Sequence, residues 1–140
     1  MNECLFCRII KGKIPAYKIT ENKDCYAFLD IYPCTEGHAL CIPKKHYETI
    51  DEMPAEELKE LIVFTQEIAK AVKKSTNSTG FNLLQSNHAD AGQVIPHVHF
   101  HIIPRKSTDE LTFENKRIEG KKEELEKIRE KIKSNFNLRE

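Results

Sequence analysis

Three histidines alternate with apolar residues in the segment His97-Val98-His99-Phe100-His101. In an extended chain successive side chains point to opposite faces, so His97, His99 and His101 share one face while Val98, Phe100 and Ile102 share the other. The apolar face is expected to pack on a helix. The opposite face commits half a strand to rings that pack poorly and titrate near neutrality. Two chemistries use such a row: ligation of a divalent metal, or attack of one ring on an electrophilic phosphorus while its neighbours position the charge. Just upstream, Ala91-Gly92-Gln93 reads as a turn where glycine lets backbone N–H groups approach an anion and Gln93 adds a side-chain amide. That context favours the phosphorus chemistry.

The elements that must carry these rings follow from periodicity and punctuation. Runs rich in strand formers at Ala16–Glu21, Cys25–Asp30 and Ala39–Ile42 are separated by turn material, and two more follow at Phe81–Gln85 and Val98–Ile103. Between the third and fourth, Leu58, Leu61, Ile62, Thr65, Ile68, Ala69 and Val72 recur at helical spacing from Pro54 to Lys74, with Pro54 suited to the first helical position. Val63 and Phe64 extend the apolar positions around more than one helix face. Strand, strand, strand, helix, strand, strand implies an α+β fold with a helix on an antiparallel sheet. Residues 105 to 120 read as a mobile connection. From Lys121 to Phe136, Leu125, Ile128, Ile132 and Phe136 mark a charged amphipathic helix, expected to dock by one narrow stripe.

At 140 residues and 39% hydrophobic content, one domain with a real core is the default. Twenty-two basic and 22 acidic residues cancel, so no broad positive field is available for nucleic acid or an anionic membrane, and a phosphate ligand must be held locally. No apolar run suits a secretory core or a membrane span, which points to the cytoplasm. Five cysteines are an odd number, fitting reduced thiols or metal ligation better than a disulfide framework. Cys4-Leu-Phe-Cys7 has the spacing of a zinc half-site; a redox pair and plain buried thiols are its rivals.

The segment AGQVIPHVHFHIIPR, with its His-x-His-x-His-apolar-apolar pattern, resembles the histidine triad (HIT) nucleotide hydrolases and transferases. FLDIYPCTEGHALCIPKKH and CLFCRIIKGKIP are similar to that family's two upstream blocks, so the likeness runs from Cys4 to Arg105. It implies a HIT core over residues 1–105, with 106–140 as a connection and helix of the same domain. The fold it implies is a five-stranded antiparallel sheet, one long helix, and short N-terminal and C-terminal helices. It also implies a homodimer joined through the long helix and a central strand.

By the same resemblance His99 is the nucleophile, forming a nucleotidyl-histidine intermediate. His101 binds phosphate oxygens and assists the leaving group, and His38 buttresses the triad. Asp30 takes the ribose hydroxyls, Ile31 with Phe6, Ile9 and Leu29 walls the base, and Gly92, Gln93, Ser86 and Val94 complete the nucleotide set. Ser86 and Val94 depart from the Asn or Gln, and the Ser or Thr, that the family often has there, and His88 replaces a common glycine. Family members with Cys-x-x-Cys complete a zinc site with the residues here numbered His46 and His97, implying one structural zinc per subunit on Cys4, Cys7, His46 and His97. The implied reaction is cleavage of a phosphoramidate or phosphoanhydride bond at the α-phosphate of a purine nucleotide of the AMP or GMP type. A nucleotide-binding interaction module with little turnover, and a hydrolase with three histidines around a catalytic metal, are the alternatives.

Overall fold

The computed structural model of the chain describes residues 3–113 and 117–136. In chain order the elements are α1 (Leu5–Ile10), β1 (Lys18–Glu21), β2 (Cys25–Leu29), β3 (Ala39–Pro43), α2 (Ala55–Ser75), β4 (Gly80–Leu84), β5 (Phe100–Arg105) and α3 (Lys122–Asn135). The strands form one five-stranded sheet in the order β1-β2-β3-β5-β4, each neighbouring pair antiparallel. The α+β class, the sheet, the long helix and the two short helices are as expected.

Period-two alternation sends each strand's side chains to two separate cores. Cys25 and Ala27 of β2, Ala39 and Cys41 of β3, and Ile102 of β5 meet Leu61, Phe64, Ile68, Ala69 and Val72 of α2 on one face. The small strand residues let the helix approach closely. Burial pushes the thiols up, Cys25 to about 11 and Cys41 to about 12, so both behave as small apolar groups. On the other face Tyr26, Phe28, Leu40 and Ile42 pack with Phe6 and Ile9 of α1. Fully burying each large apolar side chain contributes about 1.5–3 kcal/mol. Pro54 sits at the N-cap of α2 rather than inside its first turn, and Glu56 and Glu57 near the start with Lys73 and Lys74 near the end complement the helix dipole. Phe64 turns into its own core, whereas Ile62 and Val63 remain exposed.

Strand β5 begins two residues later than the pattern suggests and runs on to Arg105. Its ladder with β3 spans only Phe100 to Ile102, so His97 and His99 lie on the chain leading into the strand, where the Val98 N–H donates to the Tyr47 carbonyl at 2.8 Å. Pro104 is tolerated because β3 has ended beside it, and its carbonyl accepts the Thr35 hydroxyl at 2.7 Å.

The start of the connection expected to be mobile is tied down. Arg105 donates from Nε and Nη2 to the Asp109 carboxylate at 2.9 and 3.0 Å, from Nη2 to the Leu111 carbonyl at 2.6 Å and from Nη1 to Asn82 at 2.9 Å. Residues 114–116 of that connection lie outside the described residues. The expected docking of α3 on its own domain is not found: Leu125, Ile128, Ile132 and Phe136 are 48 to 67% exposed.

Gly37 fixes the approach to His38. Its φ of +92° is left-handed, and a Cβ there would sit 2.5 Å from Thr76 Cγ2 at the end of α2. The Gly37→Ala protein is expected to lose about 2 kcal/mol or more, through left-handed strain plus overpacking. Urea unfolding would show this as a lower midpoint at an unchanged slope.

Candidate active site

Four ligand-type side chains from three separate segments converge at one end of β3. Cys4 caps α1 and accepts the Cys7 N–H at 3.2 Å, so the two sulfurs lie one turn apart on one side of that helix. His46 follows β3, and His97 leads into β5. His97 Nδ1 lies 3.3 Å from Cys4 Sγ, 3.6 Å from Cys7 Sγ and 3.1 Å from His46 Nδ1, and His46 Nδ1 lies 3.5 and 3.4 Å from the two sulfurs. A tetrahedron with metal–nitrogen bonds of ~2.0–2.1 Å and metal–sulfur bonds of ~2.3 Å has nitrogen–nitrogen edges of about 3.3 Å and nitrogen–sulfur edges of about 3.6 Å. The nitrogen–nitrogen separation and the four nitrogen–sulfur separations are close to those edges, and all four ligand atoms lie within 4.8 Å of one another. His97 Nε2 meets the Pro43 carbonyl at 2.8 Å, which holds the proton there and turns the Nδ1 lone pair into the cluster. Burial and the neighbouring Cys4 push the Cys7 thiol up to about 11, so a positive ion at this cluster would be needed to hold the Cys7 sulfur as a thiolate near neutral pH.

The remaining histidines form a separate array. His99 Nδ1 lies 2.7 Å from the His97 carbonyl, an acceptor only, so the ring carries its proton on Nδ1 and leaves the Nε2 lone pair free. His38 accepts the Cys34 N–H on Nδ1 at 3.0 Å and therefore carries its proton on Nε2, 2.9 Å from His101 Nδ1. His101 accepts there and has its own N–H on Nε2. One backbone donor and one backbone carbonyl thus fix three tautomers, giving a lone pair on His99 next to an N–H on His101, with ring centroids 4.8 Å apart. Asp30 Oδ1 accepts the Tyr32 N–H at 2.8 Å, and Oδ2 lies 3.6 Å from His38 Nε2.

Burial holds these rings neutral. It pushes His101 down to about 4, with His99 and His38 adding to the effect and Asp30 opposing it. Burial likewise lowers His99, against its carbonyl bond and Asp30, and His38, against Asp30. Phe6 stands edge-on to His97 and His99, with centroids 5.9 and 5.1 Å away. The three triad histidines do not converge on one ion, because His97 faces the cysteine cluster while His99 and His101 face a cavity.

That cavity, of about 360 Å³, is lined by His99, His101, Asp30, Ile31, Gly92 and Val94, with apolar walls from Phe6, Ile9, Phe28, Leu29 and Leu40. A larger, more open hollow of about 490 Å³ beside Thr35 and Lys106 has no histidine in its wall. Gly92 lines the histidine cavity, Ser86 and Gln93 are not in its wall, and the hydrogen-bonding groups of the Gly92-Gln93 turn are engaged within the protein. The Gly92 and Gln93 N–H groups donate to the Ala89 and His88 carbonyls, while the Gln93 amide donates to the Glu48 carbonyl and accepts the His88 N–H, each at 2.7 Å. Gln93 is a brace for the loop. His88 is held there at φ 70° and ψ 158°, a region suited to glycine. The sequence offered no sign of two further contributors, the Pro43 carbonyl and the Cys34 N–H, since main-chain groups carry no residue signature.

The HIT domain profile matches residues 11–108. The chain belongs to the HIT family. An adenylylsulfatase of Arabidopsis thaliana is 46% identical over 108 residues, 77% of this chain and 55% of the relative, so the chain spans about half that relative's length. An adenosine 5'-monophosphoramidase of Candida albicans is 43% identical over 113 residues, 78% of this chain and 73% of that one. The solved structure of SMU.412c from Streptococcus mutans superimposes with a TM-score of 0.91 at 38% identity, covering 96% of this chain and 86% of its own. Among the described residues of this HIT protein, no helix is long and apolar enough to cross a membrane.

The depressed pKa of His101 makes stability depend on pH. Between its ordinary value of 6.5 and about 4, the unfolded chain takes up a proton that the folded ring refuses. Stability is therefore expected to fall as pH drops through that window, and the His101→Gln protein to lose less across it. Denaturant midpoints of the two proteins from pH 7 to pH 4 measure the difference.

Proposed function

We propose that this HIT protein cleaves a phosphoramidate or phosphoanhydride bond at the α-phosphate of a purine nucleotide, through a nucleotidyl-histidine intermediate on His99. The carrying observation is the pair of opposed tautomers: a neutral His99 with its Nε2 lone pair free, beside a His101 N–H, at the wall of an apolar cavity holding one carboxylate. The activities named for the Arabidopsis and Candida relatives, on an adenylyl sulfate and an adenosine phosphoramidate, share the adenosine α-phosphate and differ in the leaving atom. Asp30 accepts from the ribose hydroxyls, and Ile31, Phe6, Ile9 and Leu29 enclose the base. Gly92 and Val94 border the phosphate, while Gln93 acts by bracing their loop; Ser86 is not in the cavity wall.

In the first step the His99 lone pair forms the P–Nε2 bond as the bond from phosphorus to the leaving nitrogen or oxygen breaks. The negative charge of the bound phosphate raises the proton affinity of His101. His101 therefore takes up one proton from solvent as the nucleotide binds, gives a proton to the leaving atom, and is left as the neutral ring. Water next attacks phosphorus, P–Nε2 breaks, and the water's proton returns to His101. Two displacements replace one difficult attack by water. His38 keeps His101 in the required tautomer from behind. A homodimer fits the same reading, because the exposed Ile62 and Val63 of α2, and Phe81, Leu83 and Leu84 of the sheet-edge strand β4, give a second subunit an apolar surface.

Cys4, Cys7, His46 and His97 hold one structural zinc per subunit. A closed set of two sulfurs and two nitrogens leaves no position for substrate, so the ion anchors the N-terminal helix and the loop after β3 to the strand bearing His99.

The His99→Ala protein is expected to lose about 10³-fold or more in kcat on adenosine phosphoramidate while still binding AMP. Steady-state kinetics and calorimetric titration decide this, and full activity in that protein would remove the mechanism. For the metal, elemental analysis is expected to give one zinc per chain, and Cys4→Ala to lower the melting temperature more than the rate per folded molecule. No metal, together with a melting temperature indifferent to chelator, would leave Cys4 and Cys7 as ordinary thiols.

A further inference from the structure

The five cysteines differ in what they can do. Cys25 and Cys41 are buried in the core under α2, and Cys34 is exposed in the turn before β3. Cys4 and Cys7 are half-buried, their sulfurs lie within 4.8 Å of each other, and their cluster opens to solvent through the exposed His46. Sulfur oxidation follows thiolate character and access, so a metal-bound pair at such an opening is within reach of a small oxidant. The two positions can also close on each other. Cβ atoms three residues apart on a helix stand about 5–6 Å apart and a disulfide needs ~3.5–4.5 Å, so the turn must tighten by about 1–2 Å. Cys4 is the N-cap of α1, with extended backbone at φ −67° and ψ 159°, and the chain before it lies outside the helical ladder and can take up that shift.

We infer that Cys4 and Cys7 form a peroxide-sensitive latch: a hydroperoxide converts the zinc-bound pair into a disulfide and expels the metal. The Cys4 sulfur accepts the Cys7 N–H at 3.2 Å, which damps its nucleophilicity, so the Cys7 thiolate attacks first. It bonds to the terminal oxygen of the hydroperoxide, the O–O bond breaks, and the departing oxyanion takes a proton from solvent, leaving a sulfenic acid on Cys7. The Cys4 thiolate then attacks the Cys7 sulfur. The S–S bond forms, the S–O bond breaks, and the hydroxide released takes a second proton from solvent. The two sulfurs have given two electrons to the peroxide, while the zinc keeps its charge and loses two of four ligands. His46 and His97 alone are too few to retain it. The tie between α1, the loop after β3 and the chain leading into β5 is then broken. Phe6, between the two cysteines, packs on Phe28 and stands edge-on to His97, so the tightened turn also disturbs the core beneath α1. The oxidised protein is the less stable form, and its activity is lost between the two melting temperatures.

The inference rests on the structural zinc proposed above, and the test separates the two. Zinc-loaded full-length protein is treated with hydrogen peroxide beside a colorimetric chelator too weak to strip the untreated protein. Zinc is expected to be released in step with the loss of two hydrogens from the linked peptides carrying Cys4 and Cys7, and the melting temperature to fall by at least ~5 °C. Dithiothreitol with added zinc should restore both the metal and the melting temperature, which distinguishes a disulfide from irreversible oxidation. The Cys34→Ser protein should release its zinc as wild type does. A full-length protein that carries no zinc and takes none up would overturn the zinc reading and the latch with it. A loaded protein that keeps its zinc under peroxide, a disulfide that joins Cys34 instead, sulfinic acid on Cys7 without a disulfide, or an unchanged melting temperature in the disulfide form would overturn the latch alone.

Discussion

Fixed proton positions on buried imidazoles are the constraint on which the rest of this structure depends. A histidine in water exchanges tautomers freely and titrates near neutrality. Here the Pro43 carbonyl, the His97 carbonyl and the Cys34 N–H each remove one choice, and burial removes the charged state. Each of those main-chain groups belongs to a segment that the fold must place to within a few tenths of an ångström. The turn before β3 holds Cys34 because His38 closes it. The end of β3 holds Pro43 because the β2–β3 ladder runs through Cys25 and Pro43 without a break.

The two-faced sheet makes such placement affordable in structural terms. One face is covered by α2 through small residues, so β2, β3 and β5 are clamped from behind. The other is covered partly by α1, whose Phe6 packs on Phe28 with centroids 5.3 Å apart and edge-on to His99. Because α1 also carries Cys4 and Cys7, one short helix contributes to the apolar wall and to the sulfur cluster at once. Six residues are too few for such a helix to be stable alone. Its attachments, an apolar pair below and a ligand set at its start, explain how so short an element can form a pocket wall.

Much of this was legible in the sequence because it is written in side chains with a period. Alternation at Val98, Phe100 and Ile102 indicated which face would meet a helix, and Leu61, Ile68 and Val72 indicated the helix. The Cys4 to Cys7 spacing was readable as a half-site, and the family likeness supplied its two partners. What was not legible is main-chain chemistry. Gly92 and Gln93 looked like an anion cradle because glycine permits close approach, but a tight turn claims its own N–H groups, and the Gln93 amide closes the loop from inside. The true start of β5 was hidden for a related reason: the Val98 N–H is taken by the Tyr47 carbonyl although β3 runs on to Pro43, a long-range fact that local alternation does not encode.

His97 shows why a row of similar residues need not act alike. It lies two residues from His99, yet its outward nitrogen meets sulfur and its other nitrogen meets the Pro43 carbonyl, while His99 turns a lone pair toward the cavity. The difference lies in what each ring's second nitrogen touches. For His97, donating from Nε2 frees Nδ1; for His99, donating from Nδ1 frees Nε2, so consecutive rings on one face aim their lone pairs at different neighbours. The carbonyl of His97 is itself the acceptor that sets His99. Whatever restrains the His97 main chain therefore also restrains the tautomer of the next ring, and the cysteine cluster and the cavity are coupled through a single peptide group.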